Sequence, residues 1–234
     1  MPIFAGLDVY HDAAAHSAAM NMAIDETLLE SAAVPSIRFY CWESPALSFG
    51  YFGRFADVAD KACERDLVRR WTGGGIVFHG EDLTYSVMIP ANDPVFAESP
   101  MSIYAAIHGA LRNALNATGE CAELAIVAAV SDRRSKPNPA VRDRRYNDCF
   151  ANPVRADVTI DGRKVAGAAQ RRTRGGLLQQ GSVQYVDLEN GLAERFAQAL
   201  SEAHCEKSLD KSLIERAEKI AEQKYGTDSW LRRR

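Results

Sequence analysis

A cysteine and a lysine fifteen residues apart carry the clearest chemistry in this chain. Cys149 precedes Lys164, which sits in a glycine-bounded segment, Asp161-Gly162-Arg163-Lys164-Val165-Ala166-Gly167. A thiol attacks as its thiolate, and a neighbouring cation enriches that form at neutral pH. Brought together by the fold, the pair would make an acyl-transfer nucleophile with Lys164 as its counter-charge. A second set of residues surrounds three successive glycines, in Arg69-Arg70-Trp71-Thr72-Gly73-Gly74-Gly75-Ile76-Val77-Phe78-His79. Residues without a Cβ let a ligand lie directly against the backbone and open conformations closed to other side chains. Arg70 supplies a fixed cation able to grip a carboxylate or phosphate, and His79 an imidazole suited to proton exchange. A glycine triplet alone also reads as a turn or bulge; its Arg and His neighbours favour a binding loop. It is not a nucleotide P-loop, because G-x-x-x-x-G-K-S/T is missing, and it is not G-x-G-x-x-G before a helix.

The elements that must position these groups are legible as periodicities. Helical spacing appears in Met20, Ala23, Ile24, Thr27 and Leu28, again in Ile103, Ile107, Ala110, Leu111 and Ala114, and again in Leu213, Ala217, Ile220 and Ala221. Gly119 and Gly226 are placed to stop the second and third of these helices. Extended segments are predicted at 37–42, 46–52, 67–71, 76–79 and 83–89, the last with Leu83, Tyr85, Val87 and Ile89 alternating. In the second half, 156–160 and 164–170 flank Asp161-Gly162, a dipeptide suited to a type I′ hairpin turn, and a further strand covers 177–186. Strands mixed with helices, without regular βαβ alternation, predict an α+β fold with mixed and antiparallel sheets. The proline- and charge-rich stretch 131–145 reads as a loop.

With 234 residues, 47% of them hydrophobic, the chain is long enough to bury a real core, and one domain over 1–234 is the expectation. The five cysteines are odd in number and form no C-x-x-C pair, so neither a disulfide framework nor a structural metal site is predicted. Cys41, Cys63, Cys121 and Cys205 have no basic neighbour motif and read as structural. The N-terminus lacks a basic region followed by an apolar one, and no apolar stretch spans a membrane. The reading is a soluble, cytoplasmic protein, with a monomer as the default. Net charge is −3, yet six basic residues against one acid lie between Arg133 and Arg145, and five against none between Arg163 and Arg174. Such segments make a patch that would steer an acidic partner. The interleaved aromatics of a base-stacking surface are absent from both, which argues against nucleic acid.

Taken together these motifs resemble a known family. The run Arg69 to His79, followed by Asp82-Leu83-Thr84-Tyr85-Ser86-Val87, is similar to the hallmark segment of the lipoate-protein ligase A and octanoyltransferase family, with its biotin/lipoate ligase fold. Asn21 to Glu26 with Ile37 to Trp42 resembles the family's opening helix and strand. Gly162 to Gln170 resembles its lysine segment, and Lys224 to Trp230 its closing helix. Arg54 departs from a usual Gln, and Gln179-Gln180 from a more usual histidine-containing pair.

The resemblance implies one of two chemistries. A ligase uses ATP and Mg to activate free lipoate as an acyl-adenylate; an octanoyltransferase takes its acyl group from acyl carrier protein through an enzyme thioester. Cys149-Phe150 with the following Lys164 looks like the cysteine-dependent octanoyltransferase branch, which needs no cofactor. The chain also ends shortly after Trp230, without the accessory C-terminal domain of many ligases. On that reading Cys149 carries an octanoyl thioester and passes it to a lysine of a lipoyl domain or of the glycine-cleavage H protein, in lipoate biosynthesis. Arg70, Gly73, Gly74, Gly75, Ile76, Val77, Phe78 and His79 would bind substrate, the glycines forming one wall of an acyl tunnel. Amides near Gly167 and Ala168 would complete an oxyanion site. The ATP-dependent ligase, an amidotransferase moving octanoyl or lipoyl groups between proteins, and a non-catalytic acyl- or lipoyl-protein-binding module stay open as alternatives.

Overall fold

The computed structural model describes residues 2–126, 150, 153–188 and 190–233. Strand β1 (Leu7–His16) leads into helix α1 (Ala18–Ser31), strands β2 (Ser36–Trp42), β3 (Ala46–Phe49), β4 (Asp66–Arg69), β5 (Ile76–His79) and β6 (Leu83–Pro90), and helix α2 (Pro100–Ala117). Strands β7 (Ala122–Leu124), β8 (Val158–Ile160), β9 (Arg163–Arg172) and β10 (Gly176–Val183) follow. Helix α3 (Leu192–Leu200), strand β11 (His204–Lys207) and helices α4 (Lys211–Ile220) and α5 (Asp228–Leu231) complete the order. Eight strands make one sheet, β11-β1-β2-β6-β10-β9-β8-β7, and three make another, β4-β3-β5. β1 is parallel to β2 and β11, and β3 to β4, while the remaining pairs are antiparallel. This is the mixed α+β architecture that the interspersed periodicities predict.

The pleat divides the large sheet into two cores. On β6, Tyr85, Val87 and Ile89 face one side with Ile107, Leu111 and Leu115 of α2 and Phe196 of α3, while Met88 faces the other with Met22, Ile24 and Leu28 of α1. α1 is covered by the sheet on one flank and by α4 on the other, so polar residues on it, Asn21, Asp25 and Thr27, are buried as well. The helices start where side chains cap them: Ser17 accepts from the Met20 amide, Ser99 from Ser102, and Asp210 from Leu213. Gly119 follows α2 at φ 99°, whereas Gly226 closes a wider π-type turn after α4 at an ordinary φ of −85°.

The predicted hairpin is present as β8 and β9, and both turn residues are left-handed, Asp161 at φ 51° and Gly162 at φ 77°. The strand predicted over 76–79 coincides with β5, and those predicted over 46–52 and 67–71 end sooner, at Phe49 and Arg69. They end because the chain turns there to build the glycine loop: the Tyr51 amide bonds the Thr72 carbonyl, and Arg70 bonds back to Phe49. β1, β7, β11, α3 and α5 lie beyond the elements predicted from periodicity. The loop predicted over 131–145 falls outside the described residues. Among the described residues no helix is long and apolar enough to cross a membrane.

Arg69 locks the end of the described chain onto the small sheet. Its side chain, 1% exposed, donates to the carbonyls of Tyr51, Gly53, Trp230, Leu231 and Arg233, at 2.6–3.2 Å. The Trp230 indole donates in return to the Arg69 carbonyl at 2.9 Å. A guanidinium suits this task because its donors are fixed in a planar fork. Arg69→Ala strands several carbonyls, and chemical denaturation is expected to show a loss of at least about 3 kcal/mol, with Arg69→Lys recovering less than half.

His108, on α2, is buried with Nδ1 on the Ala156 carbonyl at 2.7 Å and Nε2 on the Tyr85 hydroxyl at 3.2 Å. Burial holds its pKa down, from 6.5 to about 4. The unfolded chain therefore takes up a proton that the folded chain refuses between those values. Its contribution is complete above pH 6.5 and is lost as pH falls towards 4, on the order of 3 kcal/mol in all. Urea unfolding across that interval is expected to show this fall, and a flatter profile in His108→Gln.

Candidate active site

The cavity that gathers the chemistry lies where the two sheets meet, walled by β2, β5, β6, β9 and β10 and floored by Met22 of α1. Lys164 stands on one wall. Asp157, just before β8, is turned inward by Ala156 at φ 67° and by the Val154 amide, which donates to Oδ2 at 2.7 Å. The Lys164 ammonium meets the same carboxylate at 2.8 Å, with the lysine side chain 6% exposed and the aspartate fully buried. A buried cation persists where a carboxylate pairs with it. Tyr104 of α2 donates to the other oxygen, Oδ1. Burial first, and the Asp157 charge next, push this phenol well above its ordinary pKa, so it stays a donor. Gly167 creates the room, since a Cβ there would fall 2.4 Å from Lys164 Cε and 2.5 Å from Nζ. Phe150 packs against the ammonium, 5.5 Å from Nζ to the ring centre.

Another part of the lining is a chain of hydrogen bonds. Arg70 Nη1 donates to Ser48 Oγ at 2.6 Å, and its Nη2 to the carbonyls of Gly73 and Gly75 at 3.0 and 2.8 Å. Ser48 Oγ lies 2.7 Å from His79 Nε2, and His79 Nδ1 lies 2.8 Å from Asp82 Oδ2. Trp42 stacks on the imidazole at 4.2 Å. Burial by itself would raise the Asp82 carboxyl, but His79, Ser182 and Thr84 together hold it below the usual carboxylate range. Deeper in, Gln180 donates to Asp25 at 2.8 Å and accepts from Thr72 at 2.8 Å.

Of the residues predicted to form a site, Arg70, Val77, His79, Lys164, Gly167 and Ala168 line this one cavity. Gly73, Gly74, Gly75, Ile76 and Phe78 do not. Ile76 belongs to the small core beneath β3, and Phe78 is exposed at the surface. The backbone of the glycine loop is met by the protein itself: a Cβ on Gly50 would fall 2.1 Å from the Gly74 carbonyl and 2.6 Å from that of Gly73. The Gly73 and Gly74 carbonyls thus lie against Gly50, and Arg70 donates to those of Gly73 and Gly75. The Ala168 amide, expected to serve an oxyanion, donates to Tyr104 Oη at 3.1 Å. Cys149 lies outside the described residues, although Phe150, the next residue, lines the cavity. Cys41, Cys63, Cys121 and Cys205 are exposed, so they fill no core. Among the described residues, no three His, Cys, Asp or Glu side chains are grouped to hold a metal ion.

Asp157, Tyr104, Ser48 and Gln180 were missed as site residues. Asp157 had a weak signal, one of two acids, with Asp161, in the seven residues before Lys164. Gln180 showed only as part of a pair that departs from the family pattern, and Ser48 and Tyr104 had no signal, since strand register and the packing of α2 bring them in. The basic segment Arg163 to Arg174 is also less bare than its sequence implied. Arg163 lies over the Tyr185 ring, Arg172 over Phe96, and Arg171 near both Tyr51 and Trp71. The aromatic partners come from other elements.

Residues 17–224 match the lipoyl protein ligase A/B catalytic domain. Octanoyltransferase LipM of Bacillus cereus is 38% identical over 183 residues, covering 74% of this chain and 64% of that protein. Octanoyltransferase LipM of Staphylococcus aureus is 34% identical over 204 residues, covering 81% and 72%. The chain thus spans about 64% of the length of the Bacillus protein. Among solved structures, a lipoate-protein ligase A bound with ATP superposes with a TM-score of 0.74 at 20% identity, over 99% of this chain and 98% of that one. The bipartite lipoate protein ligase of Thermoplasma acidophilum, solved with its E2 lipoyl domain, gives 0.69 at 19%, over 98% and 96%. At such identities these two speak for the fold, while the family match and the LipM relatives speak for descent. The chain belongs to the lipoyl protein ligase A/B catalytic domain family.

Proposed function

We propose that this chain is an octanoyltransferase that moves an octanoyl group from acyl carrier protein to a lysine of a lipoyl domain or glycine-cleavage H protein, through a thioester on Cys149. The observation that carries the reading is the buried Lys164–Asp157 pair in a cavity also lined by Phe150, the direct neighbour of Cys149. The LipM relatives at 34–38% identity support it. The Cys149 thiolate attacks the donor carbonyl; a carbon–sulfur bond to Cys149 forms as the bond to the carrier thiol breaks. One thioester replaces another, so the step is near balance and calls for no ATP. The acceptor lysine loses a proton and attacks the acyl-enzyme carbonyl. Its carbon–nitrogen bond forms, Cys149 leaves as thiolate, and the second nitrogen proton returns to sulfur.

Lys164 acts electrostatically in this scheme, stabilising thiolate and carbonyl oxygen alike. Asp157 and Tyr104 keep its ammonium in place, and Gly167 gives it clearance. Arg70, bonded to Ser48 and the glycine loop, lends positive charge to another part of the lining. An ATP-dependent ligase would use the same cavity for an adenylate and would not need Cys149.

Intact-mass analysis tests the choice. Incubated with octanoyl-carrier protein and an apo lipoyl domain, without ATP, the protein is expected to gain one octanoyl group and then transfer it. The Cys149→Ala variant should gain none, whereas transfer that needs ATP and survives this substitution would refute the proposal. Lys164→Ala should lower single-turnover acyl loading by about 100-fold or more. Lys164→Arg should fare little better, because the space beside Gly167 admits a slim ammonium and not a guanidinium fork.

A further inference from the structure

Ser48, His79 and Asp82 form a linear hydrogen-bonded array that the thioester scheme does not use. Their side chains are nearly inaccessible to bulk water, yet Ser48 and His79 both line the cavity that Lys164 faces. The array has a direction. Asp82 accepts from Thr84 Oγ1 at 2.8 Å, Ser182 Oγ at 2.7 Å and the Gly80 amide at 3.1 Å, the pattern of an ionised carboxylate. An ionised Asp82 favours the tautomer of a neutral His79 with its hydrogen on Nδ1, and in that tautomer Nε2 is the acceptor. In that tautomer Ser48, 2.7 Å from Nε2, donates its hydroxyl hydrogen to the ring, and Arg70 Nη1, 2.6 Å from Oγ, donates to Ser48 in turn. The Trp42 ring at 4.2 Å fixes the imidazole plane. The outcome is a hydroxyl whose proton is already aimed at a base, with a carboxylate behind the base to stabilise the imidazolium.

The reaction proposed above has an unmet need of this kind. An acceptor lysine is an ammonium at neutral pH, with an ordinary pKa of about 10.4, and must lose a proton before it can attack. Lys164, paired with Asp157, supplies positive charge and is poorly suited to accept a proton from a second cation.

We propose that Ser48, His79 and Asp82 are a proton relay that deprotonates the acceptor amine in the second half-reaction. Resting on the octanoyl-transfer reading, it works as follows. The ammonium gives one proton to Ser48 Oγ as the Ser48 hydroxyl proton passes to His79 Nε2, leaving a neutral amine and an imidazolium paired with Asp82. The amine forms its carbon–nitrogen bond, the carbon–sulfur bond to Cys149 breaks, and the nitrogen's second proton ends on the departing sulfur. His79 then returns its proton through Ser48 to water. Ser48 and His79 are the relay's catalytic residues; Asp82 positions the ring and sets its tautomer.

The two half-reactions can be timed separately. Octanoyl-Cys149 enzyme is prepared from octanoyl-carrier protein, freed of donor, and discharged near neutral pH either to an apo lipoyl domain or to hydroxylamine, an amine already neutral there. In Ser48→Ala, acyl loading is expected within about threefold of wild type and discharge to hydroxylamine likewise, while discharge to the lipoyl lysine falls about 100-fold. That lysine defect should shrink as pH rises towards about 10, where the acceptor loses its proton unaided. His79→Gln, which keeps a polar side chain between Ser48 and Asp82, should behave in the same way and guards against a folding defect confined to one variant. Equal losses with both acceptors, or full transfer to the lysine in both variants, would overturn the relay. Failure of the wild-type protein to load Cys149 would instead strike at the octanoyl-transfer reading and take the relay with it.

Discussion

The carboxylate of Asp25 is the constraint on which the architecture turns. It has no exposure, and a charge so placed persists only when surrounding donors replace its lost water. Those donors come from three adjacent strands. Arg38 on β2 meets Oδ1 at 2.9 Å, while Ser86 on β6, Gln180 on β10 and Tyr40 on β2 converge on Oδ2. Arg38 is itself divided between Asp25 and Asp12 on β1, and also donates to Asn21. One helix residue therefore sets where α1 crosses β1, β2, β6 and β10. A slip of one residue along β6 would turn Ser86 away from Asp25 and bring an apolar neighbour in its place. The cavity inherits this register, because Gln180 reaches from Asp25 to Thr72 and so ties the sheet centre to the glycine loop.

Glycine serves this fold in a way that a linear reading misjudges. In the triplet 73–75 the carbonyls of Gly73 and Gly74 lie against Gly50, whose own missing Cβ makes the room, while a Cβ on Gly73 would meet nothing within 4 Å. Gly181 follows the same logic, with the Tyr85 hydroxyl and ring 2.2–2.5 Å from where its Cβ would be. Gly167 admits the end of Lys164. At Gly50, Gly181 and Gly167 the missing side chain makes room for a group of the protein's own, so these glycines shape the site indirectly. Substitution by alanine there would act through Gly73, Tyr85 or Lys164, and would need no ligand to be felt.

Legibility in the sequence followed the range of the interactions. The β8–β9 hairpin was readable because Asp161 and Gly162 encode their own left-handed turn, and β5 because its run ends at a glycine and an acid. α3 carried a readable signal, Leu192, Phe196, Ala197 and Leu200 at helical spacing, but it is short and begins at Gly191 without a side-chain cap. β11 offered no signal: all four of its residues are exposed, and it exists only as a parallel edge against β1. The same division runs through the site. Lys164 and His79 stand out as residue types in recognisable segments, but what makes each of them chemically specific is a partner from elsewhere. Lys164 is defined by Asp157 and Tyr104, the latter sixty residues away. His79 is defined by Ser48, thirty-one residues earlier on the neighbouring strand, where Ser48 pairs with Val77.

Two parts of the cavity lining differ in electrostatic character for a reason that lies in their second partners. Lys164 and His79 each rest against a buried carboxylate, Asp157 and Asp82. Asp157 also takes a proton donor, Tyr104, whose phenol is held protonated, and this leaves the lysine ammonium as the charge presented to the cavity. Asp82 takes hydroxyl donors and an amide and pairs with His79 Nδ1, so that, on the proposed relay, what reaches the cavity through Ser48 is the acceptor Nε2. On the proposed reading, the Lys164 side favours developing negative charge on sulfur and oxygen, and the Ser48–His79 side favours removal of a proton from nitrogen. The proposed thioester, which must be stable to water yet open to a lysine, would call on both, and a single Lys or a single His could not provide them from one place.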